Sequence, residues 1–286
     1  IKNPKGQSVR IPLPAKPTRL PIRASRTVDR VGEVDGKKFT TARQWTSLVL
    51  PAASKATTGS ELEAYRALEV ATESRESLRQ GTSAWATKFT ATNGTSTIGG
   101  SVTWSGTGMA SISFDMPENS YTKHVNTQLT SLFAHRTDRP FWVGEGRHAI
   151  TWGADTDQWG RKVIVKDNMN SSYRLKDGRI RQVVRTFGEE ELTLNITKIK
   201  ELPGGQTITT EFISQSRNIK SGELTTDLLY KDDFKQFGSE WLPVQRTVTG
   251  KVRGSTILMK VKFANYVLSE VPSKLPTDPQ IRQTSN

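Results

Sequence analysis

The residue types that do chemistry are sparse in this chain and badly spaced for it. There is no cysteine, which removes disulfides, thiol nucleophiles and cysteine metal sites together. The three histidines, His124, His135 and His148, share no metal-ligand spacing. Asp155 and Asp157 stand two apart, but no EF-hand glycine or closing glutamate follows. Asp232-Asp233 fails the same calcium-loop test, and the run Glu189-Glu190-Glu191 reads as a solvated loop at a turn. No Gly-x-Ser-x-Gly elbow accompanies the serines. Gly99-Gly100 and Gly106-x-Gly108 lack the lysine of a phosphate-binding loop and read as turns. No catalytic residue, cofactor site or metal site is expected, and the chain reads as a non-enzyme.

Binding chemistry is better represented. The 286 residues carry 41 Lys and Arg against 28 Asp and Glu, a net +13. Residues 1–30 hold eight of the cations against the single acid Asp29, so over half of the excess lies there. Five prolines in the same stretch (Pro4, Pro12, Pro14, Pro17, Pro21) exclude a helix or central strand, and its apolar residues are too few to offset ordering. The expectation is an extended arm that reaches on the order of 90 Å and lays Arg10, Lys16, Arg19, Arg23 and Arg26 along an acidic partner. The alternatives are a solubilising tail or the remnant of a transit peptide, since Ile1 rather than Met opens the sequence. Seven tryptophans supply the aromatic half of an interface. Trp85 and Trp104 fit inward strand positions. Trp45, Trp142 and Trp159, the last two near Arg136, Arg139, Arg147 and Arg161, have the makeup of an interface hot spot; covering a sheet end is the alternative for the loop tryptophans.

Nucleic acid is the weakest partner class, because no RNP motif, zinc finger or basic helix is present. No run approaches the roughly 18 apolar residues of a membrane helix. The sequons at Asn93, Asn170 and Asn195 fit either glycosylation or chance in a Ser- and Thr-rich chain.

The elements that must position these residues are legible in outline. Residues 1–58 form the arm and a linker in which Gly36 marks a turn and Phe39, Trp45 and Leu48-Val49-Leu50 give short apolar runs that could add an edge strand. Ser60-Glu61-Leu62-Glu63 reads as a capping box that opens a helix over 61–80 with apolar positions Leu62, Tyr65, Leu68, Val70, Ala71 and Leu78, closed by Gly81. The period then becomes two. Strands are expected around Trp85–Ala91, Val102–Trp104 and Met109–Phe114. A second helix opens at Pro117–Ser120 and carries Tyr121, Val125, Leu129, Leu132 and Phe133 to about His135. Strands follow at 147–152, 161–166, 172–175, 179–187, 192–201, 207–217, 224–237, 240–249 and 256–268. Turns this short force antiparallel neighbours. The fold class is α+β, mostly β: a strongly curved antiparallel meander, a half-barrel or open barrel over residues 59–270, packed on two helices. The tail 271–286, with Pro272, Pro276 and Pro279, reads as disordered.

Residues 60–270 resemble a domain family of unknown function from cyanobacteria and plastids. The match runs through Ala134-His135-Arg136, Phe141, Asp167-Asn168-Met169-Asn170-Ser171-Ser172-Tyr173-Arg174 and Ile180-Arg181-Gln182-Val183-Val184-Arg185. It continues in Tyr230-Lys231-Asp232-Asp233-Phe234, Leu242-Pro243 and Phe263-Ala264-Asn265-Tyr266. The resemblance implies a chloroplast stroma, a thylakoid surface or a cyanobacterial cytoplasm, and a bent sheet similar to lipoprotein carriers. With the arm, the design is similar to a phycobilisome linker. The first functional expectation is therefore a docking or scaffold protein on acidic phycobiliproteins or photosystem subunits. The alternative is a lipid or pigment carrier, with the first helix and the Trp-rich strands lining the cavity.

Overall fold

The computed structural model describes residues 31–34, 37–40, 59–78, 83–106 and 108–270. The chain divides between Thr58 and Gly59 into two units. In the first, β1 (Val31–Val34) and β2 (Lys37–Thr40) pair antiparallel, while the expected Gly36 turn lies outside the described residues. They form their own two-stranded sheet. The arm with Arg10, Lys16, Arg19, Arg23 and Arg26, the Trp45 segment and the tail from Val271 lie outside the described residues.

The second unit is a twelve-stranded antiparallel sheet, curved and open, with two helices on one face. Its strands are β3 (Ser83–Thr92), β4 (Thr97–Trp104), β5 (Ser111–Phe114), β6 (Ile150–Asp157), β7 (Gly160–Val165), β8 (Ser172–Lys176) and β9 (Arg179–Phe187). They continue as β10 (Glu190–Glu201), β11 (Thr207–Asn218), β12 (Leu224–Phe237), β13 (Glu240–Val252) and β14 (Ser255–Glu270). β6 to β14 run as a meander. The last strand then pairs with β3, so the order is β5-β4-β3-β14 and on down to β6, with β5 and β6 as free edges. Register shifts interrupt the ladders at Ile196–Ile199, Arg174–Leu175, Asp233–Phe234 and Ala264–Val267, among others. Each extra residue bends its strand and adds twist, which curves a sheet without closing it.

α2 (Ser120–Ala134) is built as its sequence dictates. Asn119 caps the amides of Tyr121 and Thr122, and Thr122 returns the bond, a capping box. Val125, Leu129, Leu132 and Phe133 then fall on one face and are buried against Trp85, Trp104, Val248 and Phe263. At the β5 edge the sheet is too close-packed for a side chain at Gly100, where a Cβ would stand 2.2 Å from Ser113 O and 2.6 Å from the Phe89 ring.

α1 (Gly59–Glu73) departs from the sequence reading at both ends and in its buried face. It begins one residue before Ser60 and stops seven before Gln80. The stop has a long-range cause. Ser74 O accepts from Thr207 N and Glu76 N donates to Thr207 O, so the chain leaves the helix to bridge β11. Leu78 then exchanges bonds with Arg136 and Asp138 at the end of α2. Residues 74–78 thus form a strap from one helix to the other. The buried face of α1 is Ala64, Leu68 and Ala71, while Leu62 and Val70 are exposed. Small residues at 64 and 71 let the helix sit close to Val163, Tyr173 and Leu175.

Candidate ligand-binding site

Directly paired residues of an antiparallel ladder share a face, so the register traces the helix-bearing face across the sheet. One row runs Tyr173, Val183, Leu194, Ser214, Leu228. The next runs Ile196, Phe212, Tyr230, Val248, Met259. α1 covers the low-numbered end of these rows and α2 the high-numbered end. Between them Val183, Leu192, Leu194, Ile196 and Phe212 are only half-buried, and Phe187, on the same face at the end of β9, is 49% exposed. An apolar strip therefore floors a trough with a helix on each side. The 74–78 strap crosses one end. Trp85 and Trp104 are buried beneath α2 at 2% and 1% exposure, which bears out their inward placement but removes the Trp-rich strands from the lining.

The trough has a polar wall. Arg185 pairs directly across the ladder with Leu192. Its Nη2 donates to Tyr173 Oη at 2.8 Å and to Glu145 Oε1 at 3.1 Å, and Tyr173 Oη donates to the same carboxylate oxygen at 2.8 Å. Glu145 is held there by two 3₁₀ turns, Phe141–Val143 and Glu145–Arg147. Phe141 anchors them in the core. Gly146 makes the fit possible, since a Cβ there would lie 2.8 Å from Tyr65 Oη and 2.9 Å from the Phe141 ring. Burial pushes the Tyr173 phenol well above its ordinary range, so it stays a neutral donor.

Arg75, on the strap, is close enough to Tyr173, Glu145 and Arg185 to feel their charges, and His135, the C-cap of α2, feels Arg185, Arg75 and Arg246. Both side chains are exposed to solvent. Both are nevertheless crowded enough that desolvation is the leading cause of a lowered pKa, and the guanidiniums lower His135 further. His135 is neutral near pH 7 in this setting.

Elsewhere the charged groups are consumed by structure. Asp232 and Arg246 form a buried bidentate pair at 2.7 and 2.6 Å, and Arg246 Nη1 also donates to Gln128 O of α2. Arg136 bonds Glu76 and Trp241 O. Arg174 takes both Asp155 and Asp157, which accounts for the spaced carboxylates. Asp167 binds the amides of Met169 and Ser171 and the Ser171 hydroxyl, so it folds the β7–β8 turn. Burial raises its pKa, but those bonds prevail and hold it below the usual range. No group of three His, Asp or Glu suited to a metal occurs among the described residues.

The expected interface residues fall apart from the trough. Trp142 is 46% exposed in the first 3₁₀ turn. Arg139 is exposed beside it and donates to Val143 O at 3.0 Å. Trp159 is half-buried in the β6–β7 turn, its amide bonded to Asp157 Oδ1 at 2.8 Å. A separate open groove of about 620 Å³ lies along the outer side of α1, lined by Leu62, Val70, Trp152 and Leu175, with Arg161 stacked 3.9 Å over Trp152. Sequence reasoning missed the Arg75–Glu145–Tyr173–Arg185 group. The one available signal was Arg185 at the same strand parity as Val183, a cation at an inward position.

The sequence profile of the family described as Protein of unknown function (DUF3386) matches residues 60–268. The chain belongs to DUF3386. The matched span is the helix-and-sheet unit and contains the whole trough. Comparison with curated proteins finds no match to this DUF3386 chain. Among solved structures, a DUF1329 family protein from Desulfovibrio piger aligns over 73% of the chain and 93% of its own, at 10% identity and a TM-score of 0.24. The MucA/MucB complex of Pseudomonas aeruginosa aligns over 70% and 93%, at 8% identity and a TM-score of 0.17. At these values the DUF3386 fold is argued from its own topology.

Proposed function

We propose that the DUF3386 unit is a non-enzymatic carrier that holds a hydrophobic molecule in the trough between α1 and α2. The observation that carries this reading is the half-buried strip Val183, Leu192, Leu194, Ile196 and Phe212. Val183 and Ile196 pack against the core under α1 and Phe212 against the core under α2, whereas Leu192 and Leu194 belong to neither. Apolar side chains set in a concavity with a few convergent polar groups are the usual makeup of a small-molecule site. Native mass spectrometry of full-length protein purified without detergent is expected to show an adduct that organic solvent extracts. Leu194→Glu places a charge on the floor and is expected to abolish the adduct while leaving the melting temperature within a few degrees. Wild-type protein that flies as bare polypeptide, and that takes up no added fatty acid, would end the carrier reading.

Trp142 favours a second reading, docking on an acidic protein through the exposed Trp142–Val143 turn and Arg139. The photosynthetic setting and the phycobiliprotein or photosystem partners enter on the resemblance alone. Trp142→Ala is expected to reduce salt-sensitive recovery of such partners from thylakoid extract by about tenfold, in line with a hot-spot aromatic, at unchanged melting temperature. A lowered melting temperature with undiminished recovery would make Trp142 a structural residue.

A further inference from the structure

We infer that the polar wall of the trough is an oxyanion site, in which Arg75 and Arg185 receive the carboxylate or phosphate head of an amphiphile whose tail lies on the Leu192–Leu194–Phe212 floor. This rests on the carrier reading and specifies its ligand class.

Charge comes first. Glu145 is the acid of the group, and it is matched by Arg185. Arg75 has no ion pair among the described residues; its recorded bond is from Nε to Thr72 O at 3.4 Å. The group therefore carries a net positive charge beside an apolar surface, which favours an anion over a neutral ligand.

Unmet donors come second. Arg185 Nε is buried and has no hydrogen-bond partner, and neither has Nε of Arg181. Arg181 is the residue left over at the β8–β9 register shift. Native structures leave few buried donors unpaired, and guanidinium groups present N–H bonds in the fork that matches a carboxylate or phosphate.

Placement comes third. Leu192 is the direct cross-strand neighbour of Arg185, and Leu194 is that of Val183 beside it. A head group on Arg185 thus starts its tail on the apolar strip, and the strip ends at exposed Phe187. A ligand with an acidic head and an apolar tail satisfies all three features, whereas a neutral lipid leaves the cation and the donors unmet.

The test titrates full-length protein with oleate below its micelle concentration, with oleyl alcohol, and with inorganic phosphate. Oleate is expected to bind at least about tenfold tighter than oleyl alcohol, the range of a charged hydrogen bond. Arg75→Met is expected to remove that advantage and leave oleyl alcohol unchanged. Arg75 is exposed, so the substitution spares the core, and the oleate-to-alcohol ratio of the wild-type protein needs no variant. Equal affinity for oleate and the alcohol, unaffected by Arg75→Met, overturns the oxyanion site while the carrier stands. Binding of neither overturns the carrier and this inference with it. Arg75-dependent binding of phosphate without oleate keeps the anion site and overturns the tail.

Discussion

Asp232→Ala is expected to lower the unfolding free energy by about 3–5 kcal/mol, the cost of stripping one partner from a buried ion pair. Both side chains are 3% exposed. The Arg246 guanidinium donates two bonds to the carboxylate and one to Gln128 O, with the Tyr230 ring 5.2 Å away at its face. Removing Asp232 leaves a full positive charge under α2 with one backbone carbonyl for compensation. The bond to Gln128 ties the helix to the sheet, so the penalty falls on that junction. Urea denaturation followed by tryptophan fluorescence reads it directly, since Trp85 and Trp104 lie under the same helix. The double replacement Asp232→Leu with Arg246→Met removes both charges and is expected to recover most of the loss, because apolar pairs of similar volume replace buried ion pairs at little cost. A single-variant loss below about 1 kcal/mol, the range of exposed pairs, would mean that water reaches the pair.

The architecture was legible where local signals agree. β9 and β12 begin where their sequence pattern begins, because Asp177-Gly178 and Ser221-Gly222 break the chain just before Arg179 and Leu224. α2 was legible because Val125, Leu129, Leu132 and Phe133 recur at helical spacing and all four are buried. α1 was misread because its real contact face uses alanines, which carry little pattern signal, while the more apolar Leu62 and Val70 face solvent. Its early end was hidden for a different reason. The bonds that stop it come from Thr207 and Arg136, well over a hundred and about sixty residues along, and no local propensity encodes them. The site was hidden by the same kind of distance. Glu145, Tyr173 and Arg185 come from a 3₁₀ turn and two strands and meet only through side-chain bonds between residues far apart in sequence. The tryptophans misdirect in the opposite sense: they mark the core under α2 and an exposed turn, while the open floor is made of Val, Leu, Ile and Phe.

Phe133→Ala and Leu194→Ala should separate the core from the trough. Phe133 is 1% exposed and touches Trp85 and Phe263 at ring separations of 5.3 and 6.0 Å. Its truncation leaves a cavity between α2 and the sheet, and a cost of about 3–5 kcal/mol is expected. Leu194 is half-buried on a floor with no helix above it, so truncation opens no enclosed cavity and is expected to cost about 1 kcal/mol or less. Ligand reverses the order of importance. A molecule that binds only the folded protein adds about 2.7 kcal/mol of stability at a hundredfold excess over its dissociation constant. That increment should survive in Phe133→Ala, whose defect lies under α2, and shrink in Leu194→Ala, whose defect lies under the ligand. The measurement is four denaturation curves, each variant with and without oleate. A core-like loss at Leu194 without ligand would show the strip to be ordinary packed interior. Equal ligand increments in both variants would place the hydrophobic molecule somewhere other than the trough.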